Sequence, residues 1–215
     1  MPDTDRSARL EAACAALPLV AILRGLTPPE SVGVARALYE AGFRLIEIPL
    51  NSPEPFDSIA AVRAALPADA LVGAGTVTTL DAVARLAEIG ADLVVMPHAD
   101  TAVIAAAKAA GMICIPGIAT PTEAYAALHA GADGLKIFPA ELVGPAAVKA
   151  IRTILPAGTR LFPVGGIAPD TMAPFLAAGV AGFGLGSALY RPGDSAETVA
   201  AKAAAFTAAY RAEAG

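Results

Sequence analysis

Short apolar runs alternate with longer, alanine-rich amphipathic stretches along almost the whole chain. The runs fall at residues 19–23, 45–50, 71–75, 92–96, 112–116, 134–138, 161–164 and 182–186. Each has the length, and the Gly or Pro punctuation, of a strand buried on both faces. Between and after them, residues 28–41, 53–66, 78–89, 100–110, 120–130, 144–155, 169–178 and 196–212 carry apolar positions at helical spacing. Several open on Pro, Thr or Ser and close on Gly. The pairs Ala41-Gly42, Ala110-Gly111, Ala130-Gly131 and Ala178-Gly179 predict left-handed helix C-caps. One more helical stretch, 7–16, opens the chain. Eight strand–helix units in 215 residues predict an α/β fold, a single-domain (β/α)8 TIM barrel over 1–215, with 1–17 as an additional N-terminal helical extension. A doubly wound open sheet would use the same alternation but needs no count of eight.

Composition narrows the partners. A net charge of -5 with no Lys/Arg cluster argues against nucleic acid and anionic membrane, so an anionic small molecule must be held by a few placed groups. Cys14 and Cys114 are too few for a disulfide framework or a zinc cluster and predict reduced thiols. The apolar stretch 12–23 has signal-peptide length, but Pro18 interrupts it and the residues before it mix acids with Arg6 and Arg9, which predicts a cytoplasmic protein. Residues 172–190 carry no charge, yet Pro174, Gly179, Gly182, Gly184 and Gly186 break them into helix, turn and strand.

In a barrel of this type, functional groups gather at the C-terminal ends of the strands. There the sequence offers Arg24, Glu47 and Asn51, Thr76, Pro97-His98, Lys136, Gly165-Gly166 and Gly186-Ser187 after or within successive runs. Lys136 stands inside the apolar run Gly134-Leu135-Lys136-Ile137-Phe138-Pro139. Ammonium groups are rarely buried without a reason. A lysine in water near pH 7 is only about 0.04% neutral, and lowering its pKa by roughly three units raises that about a thousandfold, enough to make a Schiff-base nucleophile. Alternation puts Arg24 on the face of Val20 and Ile22, Glu47 on that of Leu45, and Lys136 on that of Gly134 and Phe138. One Arg, one Glu and one Lys therefore point inward, either as a site or as a buried ionic triad that only fixes register. A carboxylate too close to Lys136 would keep it charged, so Glu47 should act at short range through substrate or water. The glycines after runs seven and eight suit phosphate binding by backbone N–H groups. His129, near a helix C-terminus, reads as structural, and His98 as a loop residue. No His/Asp/Glu spacing predicts a metal, and no cofactor is expected.

The segments Ile22-Leu23-Arg24-Gly25, Glu47-Ile48-Pro49-Leu50-Asn51-Ser52-Pro53, Gly73-Ala74-Gly75-Thr76, Pro116-Gly117, Leu135-Lys136-Ile137-Phe138-Pro139, Val164-Gly165-Gly166 and Gly184-Leu185-Gly186-Ser187 resemble, in order, the class I aldolases that cleave 2-keto-3-deoxy-6-phospho sugar acids. The resemblance runs over residues 17–210. It implies Lys136 as the Schiff-base nucleophile and Glu47 as the acid/base acting through water. It also implies Arg24 on the keto-acid carboxylate, Thr76 and Pro97 around the pyruvate end, Phe138 near the imine, and Gly165, Gly166, Gly186 and Ser187 on the phosphate. The products would be pyruvate and glyceraldehyde 3-phosphate, and the assembly a homotrimer. Asn51 and Val164, where the gluconate branch of the family has Arg and Thr, look like the 6-phosphogalactonate branch; a valine cannot hydrogen-bond a C4 hydroxyl. The segment His98-Ala99-Asp100 and the pair Ala140-Glu141 match no role. Three other readings stay open: an aldolase of the same family acting on 2-dehydro-3-deoxy-6-phosphogluconate or 4-hydroxy-2-oxoglutarate, a non-catalytic phospho-sugar-binding barrel, and another phosphate-binding barrel enzyme such as an epimerase or a thiamine-phosphate synthase.

Overall fold

The computed structural model describes residues 3–214, so residues 1, 2 and 215 of the expected domain lie outside the described residues. The strands are β1 (Leu19–Ile22), β2 (Leu45–Pro49), β3 (Leu71–Gly75), β4 (Leu93–Val95), β5 (Ile113–Ile115), β6 (Gly117–Ile118), β7 (Leu135–Ile137), β8 (Leu161–Pro163) and β9 (Phe183–Leu185). The helices are α1 (Asp3–Ala16), α2 (Pro28–Glu40), α3 (Pro55–Ala65), α4 (Leu80–Glu88), α5 (Thr101–Ala109), α6 (Pro121–His129), α7 (Ala140–Ile154), α8 (Met172–Ala177) and α9 (Ala196–Ala214), with a short 3₁₀ turn at Pro169–Thr171. A helix thus follows nearly every strand, as the alternation of runs requires. Among the described residues, no helix is long and apolar enough to cross a membrane.

All the strand pairs are parallel, and the sheet curls. Six strands run in the order β5-β4-β3-β2-β1-β9, and three more in the order β6-β7-β8. The two arcs approach at both ends: Val164, just past β8, bridges Gly184 of β9, while β5 and β6 flank Pro116. The expected single run 112–116 is therefore two short strands. A proline has no N–H to give the ladder, so pairing lapses there; the Pro116 carbonyl still accepts from Lys136 N at 2.9 Å.

Alternation sorts the strand side chains into two cores. Val20, Leu45, Leu71, Leu93, Ile113 and Phe162 form one buried cluster, closed by Leu10 and Ala13 of α1. Their chain neighbours Ala21, Ile46, Val72, Val94 and Cys114 face the other way, into a second cluster with Val34, Leu38 and Ile59 of the surrounding helices. Two-residue periodicity then carries Glu47 from Leu45, and Lys136 from between Leu135 and Ile137, onto the inner face. The α1 plug is tied down by Asp92, which accepts from Arg9 and Arg63 at 2.8 Å each and from Val72 N at 3.2 Å.

Helix punctuation agrees with the sequence at most positions. Gly42, Gly111, Gly131 and Gly179 have φ of 104°, 89°, 99° and 85°, the left-handed cap that a Cβ would penalise. The seventh helix is the exception. It begins at Ala140 rather than at 144, and it breaks at Gly144 (φ 68°, ψ 160°) before Pro145. Proline disfavours helical backbone in the residue before it, and glycine supplies the positive φ that re-aims the chain.

Candidate active site

Lys136, at the centre of β7, is 6% exposed, and Glu47, at the centre of β2, is 1% exposed. Both are buried, as the apolar setting of their strands requires. Arg24, two residues beyond β1, is exposed at the mouth of a cleft of about 500 Å3 that Lys136, Phe138 and Val164 also line. The amine of Lys136 lies 4.8 Å from the centroid of the Phe138 ring. Burial lowers the Lys136 pKa; Arg24 pushes in the same direction and Glu47 opposes both. Burial raises the Glu47 carboxyl from 4.5 to about 7 against the pull of Lys136 and Arg24. Its Oε2 atom is buried without a hydrogen-bond partner among the described residues. An amine made less basic on the cleft therefore lies within electrostatic reach of a buried carboxyl poised near neutrality, the combination that imine formation and proton transfer require.

Neighbouring strands fix this pair in ways the sequence did not reveal. A Cβ at Gly75 would sit 1.9 Å from Glu47 Oε2 and 2.3 Å from its carboxyl carbon, so the bare edge of β3 is what leaves room for the acid. A strand glycine signals such an approach but does not say what approaches. Thr76, the next residue, is held at φ 56°. For a β-branched residue this is strained backbone, costing on the order of 1–3 kcal/mol, and such strain clusters at functional sites. Ser52, buried after β2, accepts from Gly25 N at 2.9 Å and so ties the Arg24 loop to the β2 loop.

The glycine rim forms the other end of the cleft. Gly165 and Gly166 have φ of 113° and 65°. A Cβ on Gly165 would lie 2.4 Å from Glu141 Oε2, and one on Gly166 2.5 Å from Glu141 Cγ. Glu141, from the unassigned pair Ala140-Glu141, is thus packed on the double glycine and lines the cleft. Val164 is 8% exposed; its N–H donates to Ile137 O and its carbonyl accepts from Ala140 N, both at 2.9 Å. Gly186 and Ser187 follow β9 on the same cleft, and Arg191 Nε donates to Ser187 O at 3.1 Å.

Of the expected site residues, Arg24, Lys136, Phe138, Val164, Gly165, Gly166, Gly186 and Ser187 line this one cleft. Buried Glu47 stands outside its lining, as do Thr76 after β3, half-buried Pro97 after β4 and exposed Asn51 in the turn after β2. His98 is exposed, and His129 ends α6 with its ring 5.9 Å from that of Tyr125. Among the described residues, no three His, Cys, Asp or Glu side chains are grouped to hold a metal ion.

Known proteins resemble this chain over most of its length. The family model described as KDPG and KHG aldolase matches residues 10–200. A Rhizobium meliloti (strain 1021) protein named as a probable 2-dehydro-3-deoxy-6-phosphogalactonate aldolase is 52% identical over 193 residues, 90% of this chain and 91% of that protein. The 2-dehydro-3-deoxy-6-phosphogalactonate aldolase of Escherichia coli (strain K12) is 49% identical over 195 residues, 91% of this chain and 95% of its own. A solved structure described as native KDPGal superposes with a TM-score of 0.90 at 48% identity, covering 92% of this chain and 96% of that one.

Proposed function

The chain belongs to the KDPG and KHG aldolase family, which makes it a carbon–carbon lyase, and from that premise we propose that it cleaves 2-dehydro-3-deoxy-6-phosphogalactonate to pyruvate and glyceraldehyde 3-phosphate through a Schiff base on Lys136. The observation that carries the reading is the buried Lys136–Glu47 pair at the cleft, with the amine pushed down and the carboxyl pushed up to about 7.

The neutral Nζ of Lys136 adds to the C2 ketone, and the resulting hydroxyl leaves as water with a proton passed from the Glu47 carboxyl, giving a protonated imine and a Glu47 carboxylate. That cation is an electron sink. When the C4 hydroxyl proton passes through water to Glu47, the C3–C4 electrons flow into the imine and the aldehyde departs. The resulting enamine takes a proton at C3, and water then hydrolyses the imine to release pyruvate and free Lys136. Arg24 holds the keto-acid carboxylate, and its positive charge helps keep Lys136 unprotonated. Thr76 and Pro97 shape the pyruvyl end, Phe138 packs against the imine, and Gly165, Gly166, Gly186 and Ser187 take the phosphate at the opposite end.

The galacto epimer is favoured because Val164, on the cleft wall, offers no hydrogen bond to a C4 hydroxyl, and because Asn51 carries no charge. Rates of pyruvate release from the two C4 epimers, measured side by side with a coupled dehydrogenase, test this. A clear galacto preference is expected, and equal or reversed rates would refute it. The strands are read as one closed eight-stave barrel domain, β5 and β6 forming a single stave broken at Pro116. The working enzyme is read as a cofactor-free cytoplasmic homotrimer that binds neither nucleic acid nor membrane. A non-catalytic phospho-sugar-binding barrel would need no lowered amine beside a poised carboxyl, and would give no covalent adduct with pyruvate.

A further inference from the structure

We propose that Arg191 is the cation that binds the phosphate of the substrate, an inference that rests on the aldolase reading above and adds a binding residue to it. A phosphate monoester carries about -1.5 to -2 charges at pH 7. The glycine rim offers N–H groups and the Ser187 hydroxyl, but no positive charge. It also holds a carboxylate, since Glu141 is packed on Gly165 and Gly166. A dianion seated there needs a cation close by.

Three cations line the cleft: Arg24, Lys136 and Arg191. Lys136 becomes the imine. Arg24 acts electrostatically on both Lys136 and Glu47, which places it beside the reacting pair. Arg191 is instead attached to the phosphate rim, its Nε donating to the carbonyl of Ser187 at 3.1 Å. That bond sets the plane of the guanidinium while using only one of its five N–H donors, and a planar fork is suited to a phosphate.

The loop that carries Arg191 is braced on two sides. Its N–H donates to Asp194 Oδ2 at 2.9 Å, and Lys202 holds the same oxygen at 2.5 Å. A Cβ at Gly25 would lie 2.6 Å from Pro192 Cγ, so the residue after Arg24 is bare where this loop packs on it. The two arginines are therefore held on touching loops of one cleft, Arg24 being assigned the carboxylate and Arg191 the phosphate.

The test compares wild type with Arg191→Ala and Arg191→Lys on the phosphorylated substrate and on its dephosphorylated counterpart, alongside borohydride trapping with pyruvate. Arg191 is exposed, so folding should be preserved, and melting curves check this. Arg191→Ala should lower kcat/KM for the phosphorylated substrate roughly 10- to 100-fold, mostly through KM, with Arg191→Lys recovering part of it. Rates on the dephosphorylated substrate and the yield of pyruvate adduct should stay within about twofold. Equal losses on both substrates, or no loss on either, would overturn the assignment while leaving the aldolase reading intact. A wild type that traps no pyruvate would overturn both.

Discussion

Glu47 should work against the stability of the protein it serves, and Glu47→Gln measures by how much. Moving a carboxyl from 4.5 up to about 7 separates its two protonation states by roughly 3 kcal/mol. The folded state holds this proton more tightly than the unfolded chain. The neutral form therefore gives its full advantage below about pH 4.5, and that advantage disappears as pH rises through about 7. Glutamine keeps the neutral form's shape at every pH. Urea unfolding at pH 8 should accordingly find Glu47→Gln more stable than wild type by up to about 3 kcal/mol, a Tm rise of roughly 6–12 °C for a chain of this length. At pH 4 the two should be indistinguishable. Cleavage should meanwhile fall by about 10²–10⁴-fold, the usual worth of a general acid/base. Equal stabilities at pH 8, or a variant less stable there, would refute the claim that burial of this carboxylate outweighs the pull of Lys136 and Arg24.

Three further changes probe the parts around that pair. Gly75→Ala puts a methyl where Glu47 now lies, 1.9 Å from Oε2, so turnover should drop by about 10²-fold, while borohydride still traps pyruvate on Lys136. Asp92→Ala frees both Arg9 and Arg63 from their 2.8 Å bonds. Because those arginines are about a quarter exposed, thermal unfolding should report a loss of about 2 kcal/mol, at the screened end of what breaking a buried pair costs, with kcat/KM unchanged at 25 °C. Val164→Thr introduces a hydroxyl on the cleft wall and should shift the epimer ratio toward the gluco substrate by about tenfold, as one hydrogen bond permits; an unchanged ratio in competition assays would contradict the role given to Val164.

Much of this was legible because strand burial has a simple code. Leu45 and Glu47, or Leu19 and Ala21, share a face by period two, and a charge on the inner face of such a run stands out. The order of elements followed from the same alternation. What the code could not supply was contact across strands. Gly75 shows only that something approaches β3; that the visitor is the Glu47 carboxylate depends on the register pairing Glu47 with Gly73 and Pro49 with Gly75. Pro116 marked the end of a run, yet the resumption of pairing at Gly117–Ile118 is a tertiary effect. Arg191 lies after the last strand in a polar stretch where an arginine is unremarkable, and only its bond to Ser187 attaches it to the rim. Glu141 likewise had no meaning until the double glycine was found beneath it.

The most direct test of the central claim is borohydride reduction in the presence of pyruvate, followed by peptide mass mapping, on wild type and Lys136→Met. The account predicts a stable pyruvyl adduct on the Lys136 peptide of wild type and none in the variant, whose melting curve should show a folded protein. An adduct on another lysine, or none on a wild type that still turns substrate over, would contradict it.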